Sequence, residues 1–497
     1  MPNVLIVKSD QHNARCLGVN GHAQVRTPHL DQLAADGVNF TRAFVQNPIC
    51  SPSRMCYLTG QYVHNHGIYG LSGNEALPAG LPSMMSAFHG AGYRTGIIGH
   101  IHVQDSWLAP HCDDYRNLHE HTIFQEGLGQ EDPYTRYLAA KGLAGWRDDE
   151  AWDGHVQSLD GRPSRLAFAD SYEGYCLHSF REFLDEKPAG QPFLYQIDCL
   201  HPHENYIPVP EFWELYDGVA LELPPSAGED LSSKPLPQQW MIEWMRNYPA
   251  HFGDRGYDNV RRRKLQGYYG CVSQVDHMVG LLRRTLAEQG LAEDTIVVYC
   301  TDHGDFALEH GFLEKAPGIS YDAILRTPFI WAWPGGDFSP GTVEELVESI
   351  DLFPTLCALT GVDCPGTADG LNITPMLHGD TTPVRDAIFA EFPWSRTVRT
   401  KEWSLTHRPI GMYREGVDDS ELYDVVNDPW QMTNRAADPA CAPLREELRR
   451  TLLDWLLRTT RYGNTWPHLP QGADGKTHPA EIEAHIARGG AWTGAYL

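Results

Sequence analysis

Lysine is what this chain has least of: eight in 497 residues, with a formal net charge of -26. Phosphate-binding surfaces need clustered Lys and Arg, so no nucleic-acid partner is expected. Also missing is any apolar stretch near the ~20 residues that cross a bilayer, so no membrane partner is expected. The eleven cysteines are odd in number and contain no Cys-x-x-Cys pair. That argues against a disulfide framework and for reduced thiols. No basic segment or cleavage site precedes Val4-Leu5-Ile6-Val7, so no signal peptide is expected and the expected location is cytoplasmic. Neither an internal repeat nor a low-complexity tract is visible.

What is present suffices for a large core. An apolar fraction of 42% and an aromatic fraction of 11% exclude general disorder, and the length predicts one large α/β domain with a smaller companion. Short β-rich runs, Val4 to Ser9, Thr95 to Gly99, Phe193 to Cys199, Thr295 to Thr301 and Pro328 to Trp333, alternate with helical patterns. The helical stretches are Leu30 to Ala35, Leu81 to His89, Ser171 to Leu184 and Lys264 to Gln289. Near-continuous apolar strands predict a mostly parallel sheet covered by helices on both faces. Such a sheet presents functional groups at the carboxyl ends of its strands. Asp10 and Gln11 follow the first strand, His100 and His102 the second, His201 and His203 the third, and Asp302 and His303 the fourth. Polar, metal-competent or proton-transferring groups are therefore expected at one edge.

The predicted division is a catalytic domain over 1–384, a small C-terminal α+β domain over 385–462, and a tail over 463–497. Residues 204–262, rich in Pro, Trp and Asp and poor in periodicity, read as a substrate-selecting insertion or as an ordinary surface excursion. The small domain should end in a helix near Arg445 to Leu457. For the Trp-, Pro- and His-rich tail, packing across the body and packing onto a second subunit of a homo-oligomer are both open.

Cys50 lies in Asn47-Pro48-Ile49-Cys50-Ser51-Pro52-Ser53-Arg54, with a helix expected to follow through Leu58. Pro favours a first helical turn. Helix N–H groups and Arg54 would then favour negative charge at Cys50. Alone, a cysteine beside an arginine reads as a buried thiol. The full string Cys50-Ser51-Pro52-Ser53-Arg54, followed by Leu58-Thr59-Gly60, resembles the signature of the type I, formylglycine-dependent sulfatases. Its companions are similar in the same order: Val4 to Gln11, Thr27-Pro28-His29-Leu30-Asp31, Gly92-Tyr93-Arg94-Thr95-Gly96, Asp302-His303-Gly304-Asp305 with Glu309-His310-Gly311, Asp351 to Leu356, and Glu421-Leu422-Tyr423-Asp424. The resemblance runs from residue 3 to about residue 435.

That resemblance implies an alkaline-phosphatase-like α/β fold with a small C-terminal domain, and hydrolysis of a small sulfated substrate. It implies a formylglycine made from Cys50 by a formylglycine-generating maturase, and a covalent sulfo-enzyme intermediate. Asp10, Asp302 and His303 would hold one divalent cation together with the modified Cys50. Gln11 stands where many members have a second aspartate, and its amide oxygen can still ligate. Imidazole suits a transition metal better than calcium, so calcium and manganese both stay open. By the same resemblance Arg54 activates the nucleophile, His203 protonates the leaving alcohol, Lys315 binds sulfate oxygen, and His102 is the base for the second half-reaction. His100 replaces a usual lysine and brings positive charge only when protonated. His201 is either a second substrate-side histidine or a structural one. Asp276 reads as structural.

Three activities remain open: sulfate ester hydrolysis, hydrolysis of a phosphonate monoester or phosphodiester on the same fold, and a catalytically inactive binding homologue. The pair Asp10-Gln11 with Asp302-His303 is similar to the metal sets of phosphonate monoester hydrolases and choline sulfatases. Sulfuryl and phosphoryl groups share in-line geometry.

Overall fold

The computed structural model describes residues 1–70, 77–78, 80–118, 132–147, 160–247, 256–316 and 318–461. The tail over 463–497 lies outside the described residues.

Asn3–Ser9 is the central strand of an eight-stranded sheet. Its neighbours, Phe193–Asp198 and Thr295–Thr301, both run parallel to it. Arg94–Gly99 and then Asp114–Asn117 extend the parallel array beyond Phe193–Asp198. On the other side Phe329–Ala332 runs antiparallel to Thr295–Thr301, followed by Val38–Phe40 and Gly341–Val343. The alternation of side chains divides the core into two layers. Val4, Ile6, Ile296 and Val298 pack under Leu352–Thr360 and the apolar side of Cys50–Thr59, through Phe353, Leu356, Tyr57 and Leu58. Leu5, Val7, Val297 and Ile197 face the opposite way, against Phe180 and Phe183 of Tyr172–Asp185 and Val275 and Met278 of Tyr257–Glu288. Both faces being covered explains why the strands read as unbroken apolar runs.

A separate four-stranded antiparallel sheet, Ile388–Phe392, Ser395–Arg399, Trp403–His407 and Glu421–Asp424, lies near the C-terminus. Ala442–Thr459 covers it with Leu448, Leu452 and Trp455. The architecture is α/β with a small α+β unit, as expected.

Two differences have a physical reason. The long helix begins at Tyr257, not Lys264. Its first turns are polar and solvent-facing, held by pairs such as Arg261–Asp258, so they carry no apolar rhythm. The described part of the 204–262 stretch carries helices its sequence did not signal, Pro210–Glu214 and Leu236–Asn247. Gln238, Ile242 and Met245 form the buried face of the latter. That spacing is helical, but a polar residue opens it, because Gln238 donates to Glu421 of the small sheet.

Candidate active site

Cys50 is the first residue of the helix Cys50–Thr59, with Ile49 as its extended N-cap. All ten residues of that helix are buried, so its amide-rich end opens inside the protein rather than into water. The strand tips arrive around it. Asp10 follows Asn3–Ser9, Asp302 and His303 follow Thr295–Thr301, and one donor atom from each of Asp10, Cys50, Asp302 and His303 falls within 4.8 Å of all the others. Cys50 Sγ is 3.2 Å from His303 Nε2.

The cluster has the marks of a cation centre. Asp10 Oδ1 is fully buried yet has no hydrogen-bond partner among the described residues, a costly state for a carboxylate that does not ligate. His303 Nδ1 is 2.9 Å from the Gly304 carbonyl, which fixes the proton on Nδ1 and leaves Nε2 with a lone pair aimed at the cluster. Burial, opposed in part by Asp302, depresses the His303 pKa to about 4, keeping the ring neutral. Burial and then the Asp302 charge push the Asp10 carboxyl well above the usual range. For Asp302 burial acts upward, but His303 and Arg54 outweigh it and hold the group below its usual value. Two carboxylates, a neutral imidazole and a sulfur position fit a divalent cation with mixed ligand preference.

Arg54 is wholly buried and saturated: Nε donates to Asp302 Oδ2 at 3.0 Å, one terminal nitrogen to Asp10 Oδ2 at 2.6 Å, and the other to Asp198 Oδ2 at 3.1 Å and to the His100 carbonyl. It holds the outer oxygens of both acidic residues and so leaves Asp10 Oδ1 free. The Cys50 thiol itself is pushed well up, by burial first and Asp10 second, so an unmodified thiolate is disfavoured here.

The other residues singled out in the sequence lie alongside. Lys315 Nζ is 2.8 Å from Gln11 Oε1 and 2.9 Å from His203 Nε2, while His203 Nδ1 is 2.6 Å from the Glu204 carbonyl. The Gln11 amide oxygen thus already accepts from Lys315, and its amide nitrogen donates to Asp305 Oδ2 at 2.6 Å. His100 Nε2 lies 3.0 Å from His102 Nδ1 and 3.7 Å from Asp10 Oδ2. Burial first, then neighbouring positive groups, depress both rings well below the ordinary value, so His100 does not replace a lysine's fixed charge.

His201 is not brought to this group. Its Nδ1 is 3.0 Å from Glu173 Oε2, which also accepts from Gln274 at 2.6 Å. Burial opposes charge on the ring, but Cys271 and Glu173 raise its pKa well above the ordinary value. Asp276 caps a helix, accepting from the His29 and Leu30 amides. Arg396, Arg399 and Lys401 are engaged with Glu391, Asp322 and Glu345.

Sequence reading missed Lys8, Asp198, Glu173 and Glu204. A lysine directly after a four-residue apolar run, as in Val4-Leu5-Ile6-Val7-Lys8, was a signal: buried in a central strand, it demands an acidic partner. Asp198, ending Phe193–Asp198, was the matching one.

A buried helix N-terminus beside four groups that could hold a metal ion, at the strand tips of a covered parallel sheet, has the layout of a hydrolase site for a tetrahedral anion. The sulfatase family profile matches residues 2–362, and the profile described as N-sulphoglucosamine sulphohydrolase, C-terminal, matches 308–457. The chain belongs to the sulfatase family, the sulfuric ester hydrolases of the alkaline phosphatase superfamily. An arylsulfatase of Clostridium perfringens is 25% identical over 458 residues, covering 87% of this chain and 90% of its own. A choline-sulfatase of Rhizobium meliloti is 26% identical over 460 residues, covering 88% and 83%. A solved phosphonate monoester hydrolase of Agrobacterium radiobacter shares the fold with a TM-score of 0.76 at 22% identity, covering 95% of this chain and 98% of that one. No described helix is long and apolar enough to cross a membrane.

Proposed function

We propose that this protein hydrolyses the sulfate ester of a small alcohol, with a nucleophile derived from Cys50 and one divalent cation, calcium or manganese, held by Asp10, Asp302, His303 and position 50. The observation that carries this reading is the convergence of those four buried groups within 4.8 Å at a helix N-terminus. Converted by a maturase to hydrated formylglycine, position 50 would supply an oxygen nucleophile in place of a thiol. The cation would supply Lewis acidity toward that oxygen and the sulfuryl group.

The rest is work for this chain's own side chains. The helix N-terminus and Lys315 favour an anion beside position 50. Arg54, bound to the outer carboxylate oxygens, orients the acids rather than reaching the substrate. His203 and Lys315, 2.9 Å apart, share a proton that can pass to the departing alcohol oxygen. Glu204, with Oε1 3.4 Å from His203 Nε2 and 3.5 Å from Lys315 Nζ, stabilises positive charge on that pair. His102, neutral by burial, can take a proton from position 50 in the second half-reaction. Gln11 orients Lys315 and can exchange that contact for the cation. His100 lines the anion side without a fixed charge, which suits a monoanionic ester better than a phosphate dianion.

A second reading, phosphonate monoester or phosphodiester hydrolysis, is favoured by the Asp10-Gln11 and Asp302-His303 set. Side-by-side kcat/KM for an aryl sulfate, an aryl phosphonate monoester and a phosphodiester, with cation added back after chelation, tests the choice. The proposal expects the sulfate to lead; a leading phosphonate or diester overturns it in favour of the second reading. An inactive homologue predicts no turnover of any of them.

A further inference from the structure

Lys8 and Asp198 are register partners on adjacent strands, and Lys8 Nζ lies 3.2 Å from Asp198 Oδ2, with both side chains 1% exposed. Among the described residues Asp198 is the only ion-pair partner of Lys8. The same oxygen, Asp198 Oδ2, lies 3.1 Å from Arg54, whose other ion-pair partners among the described residues are Asp10 and Asp302. Gln196 holds the other oxygen, Oδ1, at 2.8 Å. Neither Lys8 nor Asp198 offers an atom to the Asp10–Cys50–Asp302–His303 cluster.

Charge makes the arrangement informative. Three carboxylates, Asp10, Asp198 and Asp302, surround two permanent cations, Arg54 and Lys8. Lys315, on the other side, is 3.5 Å from Glu204. With all three carboxylates ionised, as a bound cation requires of Asp10 and Asp302, the buried group keeps one surplus negative charge, and Asp198 contributes its charge without ligating. In a water-excluded interior, unit charges a few ångströms apart interact far more strongly than in solvent. Without its charge, Lys8 would stand unpaired in the core and Arg54 would draw more heavily on Asp10 and Asp302. Both changes oppose a dication.

We propose that Lys8 and Asp198 form a counter-charge pair that sets how tightly the neighbouring centre holds a divalent cation, acting through Arg54. Asp198 is a positioning residue in this scheme, and Lys8 moderates it. The inference rests on the reading of the four-residue cluster as a cation centre. Removing the carboxylate weakens cation binding, removing the lysine strengthens it, and removing both restores it. A role in packing alone predicts that both single changes weaken binding and that their effects add.

Calorimetric titration of the chelated full chain with Mn2+ decides, using Asp198→Asn, Lys8→Met and the double variant, with thermal melting to verify folding. The expected result is a loss of affinity of about tenfold or more in Asp198→Asn, in the range for partners of metal ligands. Lys8→Met should bind several-fold more tightly, and the double variant should return to within about threefold of the parent. Weaker binding in Lys8→Met, or additive losses in the double variant, overturns the proposal. Should Asp198→Asn fail to fold, Lys8→Met alone still decides by the sign of its change. A parent chain that binds no Mn2+ or Ca2+ sinks the cation-centre reading itself, an outcome distinct from a parent that binds while the variants behave additively.

Discussion

His203 and Lys315 sit 2.9 Å apart, and the proposed proton transfer from them is needed most when the departing alcohol is a poor leaving group. His203→Ala should therefore lower kcat/KM for an alkyl sulfate by roughly 10²- to 10⁴-fold, and for a nitrophenyl sulfate by much less. A steeper dependence of rate on leaving-group pKa in the variant checks this; equal losses on both esters contradict it. His201 has a different task. Its pKa is raised by Cys271 and Glu173 against the effect of burial. The stability it contributes is complete below its unfolded pKa of about 6.5 and is lost as pH rises through the higher folded value. His201→Gln should thus cost roughly 3 kcal/mol near pH 6, as expected for stripping one member of a buried ion pair. That difference from the parent should shrink toward pH 9 in denaturant titrations. At this scale the sequence was half legible. Motif residues such as Cys50, Asp302 and Lys315 could be named, but the partners that fix their state, Glu173, Asp198 and Glu204, become meaningful only as contacts across the fold.

The helix Pro28–Ala35 shows how one element depends on another. Thr27 at its N-cap makes no side-chain cap bond, and Asp276, from the long helix Tyr257–Glu288, accepts from the His29 and Leu30 amides at 2.9 and 2.7 Å instead. Asp276→Ala should cost about 1–2 kcal/mol, as for loss of an N-cap, with the cation dependence of turnover unchanged. Urea unfolding measures the first and kinetics the second. Strands were the most legible elements, because a sheet buried on both faces leaves an apolar run with a polar terminus. Helices were less so where they start in solvent, as at Tyr257, or pack through a polar residue, as Leu236–Asn247 does through Gln238.

At the scale of the whole molecule, the small antiparallel sheet is tied to the large domain by buried charge. Glu421 receives Arg408 at 2.6 Å, Gln238 at 2.6 Å and Tyr423 at 2.8 Å, while Arg408 also donates to the Gly318 carbonyl at 2.7 Å, close in sequence to Lys315. The helix Leu236–Asn247, the Gly318 carbonyl and the small sheet therefore share one network. Glu421→Gln would leave the Arg408 charge buried without its counter-ion, a change that should cost roughly 3–5 kcal/mol and raise KM for any ester that uses Lys315. Such a network joins residues some 180 positions apart, which is why sequence periodicity could outline the two sheets but not their connection. The central claim is that one cation and position 50 face the same anion. Anomalous diffraction at the manganese edge from crystals grown with Mn2+ tests it most directly. The account predicts a single peak within about 2.5 Å of Asp10 Oδ1, an Asp302 oxygen, His303 Nε2 and the side chain at position 50. A peak elsewhere, or one that touches the acids while position 50 points away, would contradict it.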